Sequence, residues 1–340
     1  MPITGVYFIP SHPNSSTALG TITERLRSAY PDEELIPLGR WALEQKLMRD
    51  TPSLIPASAN PAAGKPRYMQ FLSLSHYHTH GFIYTSEPQE KPYHPPHAPA
   101  GASPSPGPGP ASMAQSPSQP QSHSTTNSAS NSFTASSDSS PMNMTILPMS
   151  SFSTMFHHFT YACQPFWAHR LTVAVPNGVI FDVGDFRVRV GDVRQTFPTA
   201  RPRGTVIEIE WRGPTVLDSV FAASGLEGKG RLGVEMDADV DADSGIDVDF
   251  AIEEEDVDAE YVATAALIRE FWARLGVEGA REAILVPGVG KEVKERLEGW
   301  KAARLKGLDT AVAGGGGERG VDVDGADVAR QYMEVLRFNR

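Results

Sequence analysis

The chain has 340 residues, with 30 Lys and Arg against 41 Asp and Glu, a formal net charge of −11 and one cysteine, Cys163. A single cysteine excludes a disulfide framework and zinc-finger spacing, and MPITGVYFIP at the start lacks the basic segment and long apolar run of a signal peptide. No apolar run approaches the ~20 residues that span a bilayer, so a soluble nuclear or cytosolic protein is expected and the sequons at Asn14 and Asn143 read as chance matches.

In chain order, Gly5 to Ile9 is a short apolar run ended by Pro10 and predicts a first strand. Thr17 to Ala29 puts Ala18, Ile22, Leu26 and Ala29 on one helical face, with Pro31 just beyond its end. Leu38 to Arg49 is ambiguous: RWALEQKLM is a helix by propensity, yet it lies between Pro37 and the loop DTPSLIPASANPAAGKP in a chain otherwise rich in strands. Tyr68 to Ser75 alternates as a strand, and Phe82 to Thr85 reads as its return partner.

Residues 87–144 consist largely of Pro, Ser, Ala, Gly, Gln and Asn. They cannot bury enough apolar area to offset the entropy of ordering them, so they read as a disordered insert. Its Ser-Pro pairs at Ser103, Ser105, Ser116 and Ser140 have the form that proline-directed kinases accept.

Thr145 to Met149 predicts another short strand. Ser151 is placed to cap a helix reaching Cys163, with Met155, Phe156 and Phe159 inward and Cys163 buried and inert. One of His157 and His158 then lies at the core edge and the other in solvent. Phe166 to Val175 and Val179 to Val183 follow as strands around a PNG turn.

The clearest local pattern lies in DFRVRVGDV (185–193) and TVIEIEW (205–211). An antiparallel pairing in which residue numbers sum to 397 sets Phe186, Val188 and Val190 against Trp211, Ile209 and Ile207. It sets Arg187 and Arg189 against Glu210 and Glu208 on the other side. A slip of one residue would oppose charges to apolar groups, so the alternation selects this register.

Residues 235–260 hold thirteen Asp or Glu and no Lys or Arg, and removing these from a net −11 leaves the rest of the chain at +2. The acidity is local, and nothing predicts a basic nucleic-acid footprint. Three helices close the chain. Ala259 to Leu275 spaces Val262, Ala265, Ala266, Ile268 and Phe271 or Trp272 along one face. Lys291 to Lys306 is basic and weakly amphipathic. Ala326 to Phe338 carries the stripe Val328, Tyr332, Val335 or Leu336, and Phe338. Together the elements predict an α+β fold, an antiparallel β-barrel-like domain with flanking helices. Residues 1–86, 145–222 and 258–340 form that single domain, interrupted by the Pro/Ser-rich insert 87–144 and an acidic insert, 223–257.

The chemistry-bearing motifs are few. His76, His78 and His80 alternate, and on one strand they would converge on a metal ion. The apolar alternation stops at Leu74 and resumes at Phe82, so a turn near Tyr77 to Gly81 splits the set. GKGRLG (228–233) runs into acid rather than a helix, and GVGKE (288–292) lacks the earlier glycine and following Ser or Thr of a phosphate loop. A calcium loop from Asp239 would need glycine where Ser244 stands and glutamate where Phe250 stands. No catalytic, cofactor-binding or metal residue is assigned, and no cofactor is expected.

ITGVYFIP, RYMQFLSLSHY with FIY, DFRVRVGDVRQ with ARPRGTVIEIEW, ALIREFWARLG and the final RQYMEVLRF occur in this order. Together they resemble the Mediator complex subunit 20 family, the TBP-related-factor-like subunit, in its fungal form. The resemblance implies an antiparallel barrel-like fold in which Trp41 to Arg49 is a strand rather than a helix. It implies a non-catalytic subunit of the Mediator head module, a nuclear transcription coregulator linking activators to RNA polymerase II. It implies direct pairing with Mediator subunit 18, tethered by subunit 8. Two other readings remain beside it: a metal-dependent enzyme using His76, His78 and His80, and a DNA-binding protein resembling the TATA-binding protein.

Overall fold

The computed structural model describes residues 3–11, 17–33, 35–51, 67–86, 142–215, 253–305 and 325–337. Its frame is a nine-stranded antiparallel sheet. The strands are β1 (Ile3–Pro10), β2 (Pro37–Asp50), β3 (Tyr68–Leu74), β4 (His80–Ser86), β5 (Met142–Pro148), β6 (Trp167–Val183), β7 (Phe186–Phe197), β8 (Arg201–Trp211) and β9 (Arg281–Ala283). Their order across the sheet is β5-β4-β3-β2-β6-β7-β8-β1-β9, so the sheet is open rather than a closed ring. Among the described residues five α-helices flank it: α1 (Leu19–Ala29), α2 (Met149–His157), α3 (Glu254–Leu275), α4 (Lys291–Leu305) and α5 (Ala326–Val335). The class is α+β, as the sequence predicts.

The β7–β8 ladder runs Phe186↔Trp211, Arg187↔Glu210, Val188↔Ile209, Arg189↔Glu208, Val190↔Ile207, the register the alternation selects. Its apolar face meets α1, α3 and α4 in a core containing Ile22, Leu26, Val188, Val190, Ile207, Ile209, Tyr261, Ile268, Phe271 and Leu297. The opposite face is equally covered. There Val6, Phe8, Trp41, Leu72, Leu74, Phe82, Val173, Val193 and Val206 surround α5, through Val328, Ala329, Tyr332, Met333 and Leu336. A third cluster lies under α2, where Phe152 and Phe156 pack on Met48, Met69, Phe71 and Ile83.

Several expectations are corrected. Residues 37–50 are strand β2, not a helix, because β3 and β6 hydrogen-bond to its two edges and bury Trp41, Leu43 and Gln45 in alternation. The ladder overrides the helical propensity of the segment, and the strand implied by the resemblance is the one observed. PNG does not turn the chain: Pro176 to Gly178 lie within the continuous strand β6, where the register shifts against β7 between Ala174 and Val179. A bulge absorbs them instead, and glycine is required there because a Cβ on Gly178 would collide with the Trp41 indole.

Helix α2 starts at Met149 with no side-chain cap, so Ser151 does not cap it, and the chain continues into a π-helical turn over His158–Ala162. Phe152, not Met155, points inward; Met155 is exposed, as are both His157 and His158, and Cys163 is half-buried. Helix α3 begins at Glu254 behind a reciprocal Glu253–Asp256 capping box, within the stretch assigned to the acidic insert. Its buried face is Val257, Tyr261, Thr264, Ala265, Ile268, Phe271 and Leu275, leaving Val262 and Ala266 exposed. Phe338, GKGRLG, the calcium-like run and the Ser-Pro sites lie outside the described residues.

Candidate functional site

The polar half of the β7–β8 alternation does not face solvent. Glu208 has 1% exposure and Arg189 6%. The Arg189 guanidinium pairs with Glu208 and reaches Glu210 at 2.7 Å. From α5, the Tyr332 hydroxyl donates to Glu208 Oε2 at 2.6 Å. Burial alone would raise the Glu208 carboxyl. Arg189, His76 and the Tyr332 hydroxyl outweigh it and hold the group below its usual value. The same helix reads the β1 backbone: Gln331 Nε2 donates to the Thr4 carbonyl at 2.7 Å and to the Ile284 carbonyl at 2.9 Å, while Thr4 Oγ1 donates to Gln331 Oε1. The Gln331–Thr4 contacts are reciprocal, whereas in the ion cluster Arg189 Nε and both ring nitrogens of His76 are buried without a hydrogen-bond partner among the described residues.

The β3–β4 turn splits the three histidines. His76 tucks its ring against Trp41, with Nε2 3.8 Å from Glu208; His78 is exposed; His80 opens β4, and its Nδ1 lies 2.9 Å from the Thr79 hydroxyl. They do not converge. Among the described residues no group of three His, Cys, Asp or Glu side chains is placed to hold a metal ion. His78 and Glu44 line a shallow cleft of about 510 Å³ beside Met149 and Pro176, but Glu44 is taken by Lys46 at 2.9 Å. GVGKE does open a helix, with Gly288 and Gly290 at positive φ. Its anion position is filled from within: the Gly290 amide donates to Asp327 at 3.1 Å, and Tyr261 donates to the same carboxylate at 2.7 Å.

Burial holds His76 below its ordinary value, Arg189 adding to this and Glu208 opposing it; burial also lowers His169, against the Leu171 carbonyl. Between those folded values and about 6.5 the unfolded chain takes up protons the native state refuses, so stability falls as pH drops through that window. A urea midpoint that declines from about pH 7.5 to pH 5.5 is expected, with a shallower decline in His76→Phe. Equal slopes in the two proteins would refute the assignment.

Among the described residues the exposed large apolar side chains include three aromatic rings beside aliphatic groups such as Ile36, Leu38, Val262 and Leu267. Tyr161 is 72% exposed, Phe166 64% and Phe197 42%, with Met155 beside them at 36%. Ring contacts link Tyr161 to Phe197: His157 stacks on Tyr161 with centroids 5.9 Å apart, His169 stacks on Phe197 at 4.3 Å, and Phe156 makes edge contacts with both histidines. Sequence reasoning missed this surface, because Phe166 opens a run that reads as ordinary strand and Phe197 lies in a stretch that reads as the connection between two strands, whereas β7 extends to Phe197 and β8 starts at Arg201.

The arrangement defines a class: an α+β scaffold whose buried charges stabilise the fold and whose outward aromatics suit contact with another chain. A family model described as the TATA-binding related factor (TRF) of subunit 20 of Mediator complex matches residues 1–337. The chain belongs to this family; it is a Mediator subunit, and the work of that complex is transcription regulation. A search of curated proteins returned no match. Among solved structures, a proposed adenylate cyclase from Vibrio parahaemolyticus is 8% identical, covering 66% of this chain and 86% of that chain at a TM-score of 0.24. The PH1819 protein from Pyrococcus horikoshii OT3 is 10% identical, with 68% and 91% coverage and a TM-score of 0.23. Among the described residues no helix is long and apolar enough to cross a membrane.

Proposed function

We propose that the chain is a non-catalytic structural subunit of the Mediator head module, acting in the nucleus to link activators to RNA polymerase II. It pairs directly with Mediator subunit 18, and subunit 8 tethers the pair. The observation that carries this reading is the family match across residues 1–337. It is supported by an interior in which Glu208 is held by Arg189 and Tyr332, and by aromatic side chains that stand exposed among the described residues. The splitting of His76, His78 and His80 weighs against the metal-enzyme alternative.

Affinity purification of the tagged full chain from nuclear extract, read by mass spectrometry, is expected to recover subunit 18 in near-equal amount, with subunit 8 at lower yield. Recovery of no head-module subunit would end the proposal. Expressed without subunit 18, the chain is expected to scatter light at a lower temperature than the co-expressed pair, because the apolar surface remains uncovered.

A further inference from the structure

The early part of β6, the end of β7 and the start of β8 form one corner of the sheet. The register brings Thr172 beside Phe197, Ala174 beside Arg194, and Gln195 beside Arg201. Residues 163–175 and 193–204 contain four arginines, Arg170, Arg194, Arg201 and Arg203, and no Asp or Glu. The neighbouring carboxylates are occupied. Asp50, across the ladder from Trp167, accepts the Arg67 amide at 2.7 Å and its Nε at 3.2 Å. Asp192 accepts the hydroxyls of Thr17 and Thr205. Arg170 and Arg194 are exposed, and among the described residues neither has an ion-pair partner. Burial and the nearby Arg201 both hold Arg203 below its ordinary value, so cationic charge is crowded here. Phe166 and Phe197 belong to the same two segments and are exposed.

We propose that this corner docks an acidic segment of a partner protein, one that alternates carboxylates with large apolar side chains. Arg170 and Arg194, with the exposed rings of the same segments, offer two complementary contacts at once. Carboxylates reach the guanidinium forks, and apolar side chains cover Phe166 and Phe197. A nucleic acid would meet the same arginines. Its continuous phosphate charge, however, asks for a longer basic track than the four arginines of these two segments, and nothing in the sequence predicts one. A short acidic peptide confines its charge to the patch. The inference rests on the proposed membership only in taking the partner to be a protein.

The test is fluorescence anisotropy on the full chain, using as probe the labelled peptide DADVDADSGIDVDF, which has the acidic and apolar alternation of residues 237–250. Binding is expected to weaken with salt. It should fall about tenfold in Arg170→Glu/Arg194→Glu and by a similar factor in Phe166→Ser/Phe197→Ser. An Asp-to-Asn version of the peptide should bind about tenfold more weakly to the unaltered protein. All four substitutions lie at exposed positions, and an unchanged urea midpoint verifies folding. A second pair, Arg170→Gln/Arg194→Gln, should give an intermediate loss. Failure of the peptide to bind, or binding indifferent to these residues, overturns the proposal. So does tighter binding of a fifteen-nucleotide oligouridine, which would make the occupant a nucleic acid. Peptide binding seen only after deletion of 223–252 also overturns it, since the chain's own acidic stretch would then be the occupant. Recovery of subunit 18 by the arginine variants would leave the function proposed above intact, whatever the peptide does.

Discussion

Arg189→Leu is expected to lower the unfolding free energy by about 3–5 kcal/mol, read as a fall in the urea midpoint at constant slope. The substitution leaves the side chain volume roughly filled but strands Glu208, which has 1% exposure. Tyr332 would still donate its hydroxyl, and His76 stands 3.8 Å away, where burial disfavours its charged form. One neutral hydrogen bond does not replace a guanidinium in a dry site.

The pH dependence separates stranded charge from lost packing. In the unaltered protein the folded Glu208 titrates below its unfolded value. Its contribution is therefore present above the unfolded value and lost as pH falls through the folded one. In the variant, burial acts without Arg189 and raises the folded value instead. The deficit should then be largest near neutral pH and shrink as pH falls toward about 4.5. A deficit that stays constant with pH would mean that the cost is packing, and the reading of this pair would fail. Adding Glu208→Leu should recover part of the loss, since no buried anion remains. Recovery stays incomplete because the Tyr332 hydroxyl loses its acceptor.

This pair also marks where sequence legibility ends. The numbers 186 to 190 and 207 to 211 were enough to fix the ladder, because two period-two patterns with opposite charges admit one register. Alternation shows which residues share a face. It does not show whether the second face is wet. Here that face is dry because α5, more than a hundred residues further along the chain, lies against it. Arg189 and Glu208 therefore read as surface charges in sequence and are interior in the fold.

The same limit explains the other departures. RWALEQKLM forms helix by propensity and strand by necessity, because its neighbours on both edges are remote segments. PNG carries turn chemistry that a bulge in β6 absorbs, and its glycine makes room for Trp41 from another strand. The turn through His76 to His80 was legible from where the apolar alternation stopped. The destination of the His76 ring, beside Glu208, was not. Nor was the arginine and phenylalanine corner, whose members become neighbours only through the β6–β7–β8 pairing.

Removing α5, by ending the chain at Asp324, is expected to abolish cooperative unfolding and drive most of the protein into aggregates. Eight of its ten residues are buried, Val328, Tyr332, Met333 and Val335 among them, with Leu336 just beyond. Each such apolar side chain contributes about 1.5–3 kcal/mol on burial, and several together rival the whole ~5–15 kcal/mol margin of an ordinary fold. The loss does not stop at the helix. Val6, Phe8, Trp41, Leu72 and Leu74 would meet water, and Glu208 would lose the Tyr332 hydroxyl. Arg330, which pairs with Glu292 on α4 and reaches Asp327 at 3.0 Å, would release its hold on α4. Asp327 would vacate the Gly290 amide at the start of that helix. The truncated chain should bind a hydrophobic dye strongly and lose the near-ultraviolet dichroism of Trp41. A synthetic peptide of residues 322–340 should restore the dichroism and suppress the dye binding in proportion to its concentration, since no strand pairing connects the helix to the sheet. A truncated chain that keeps its dichroism and unfolds in one sharp transition would show that the sheet holds its curvature without the helix it wraps.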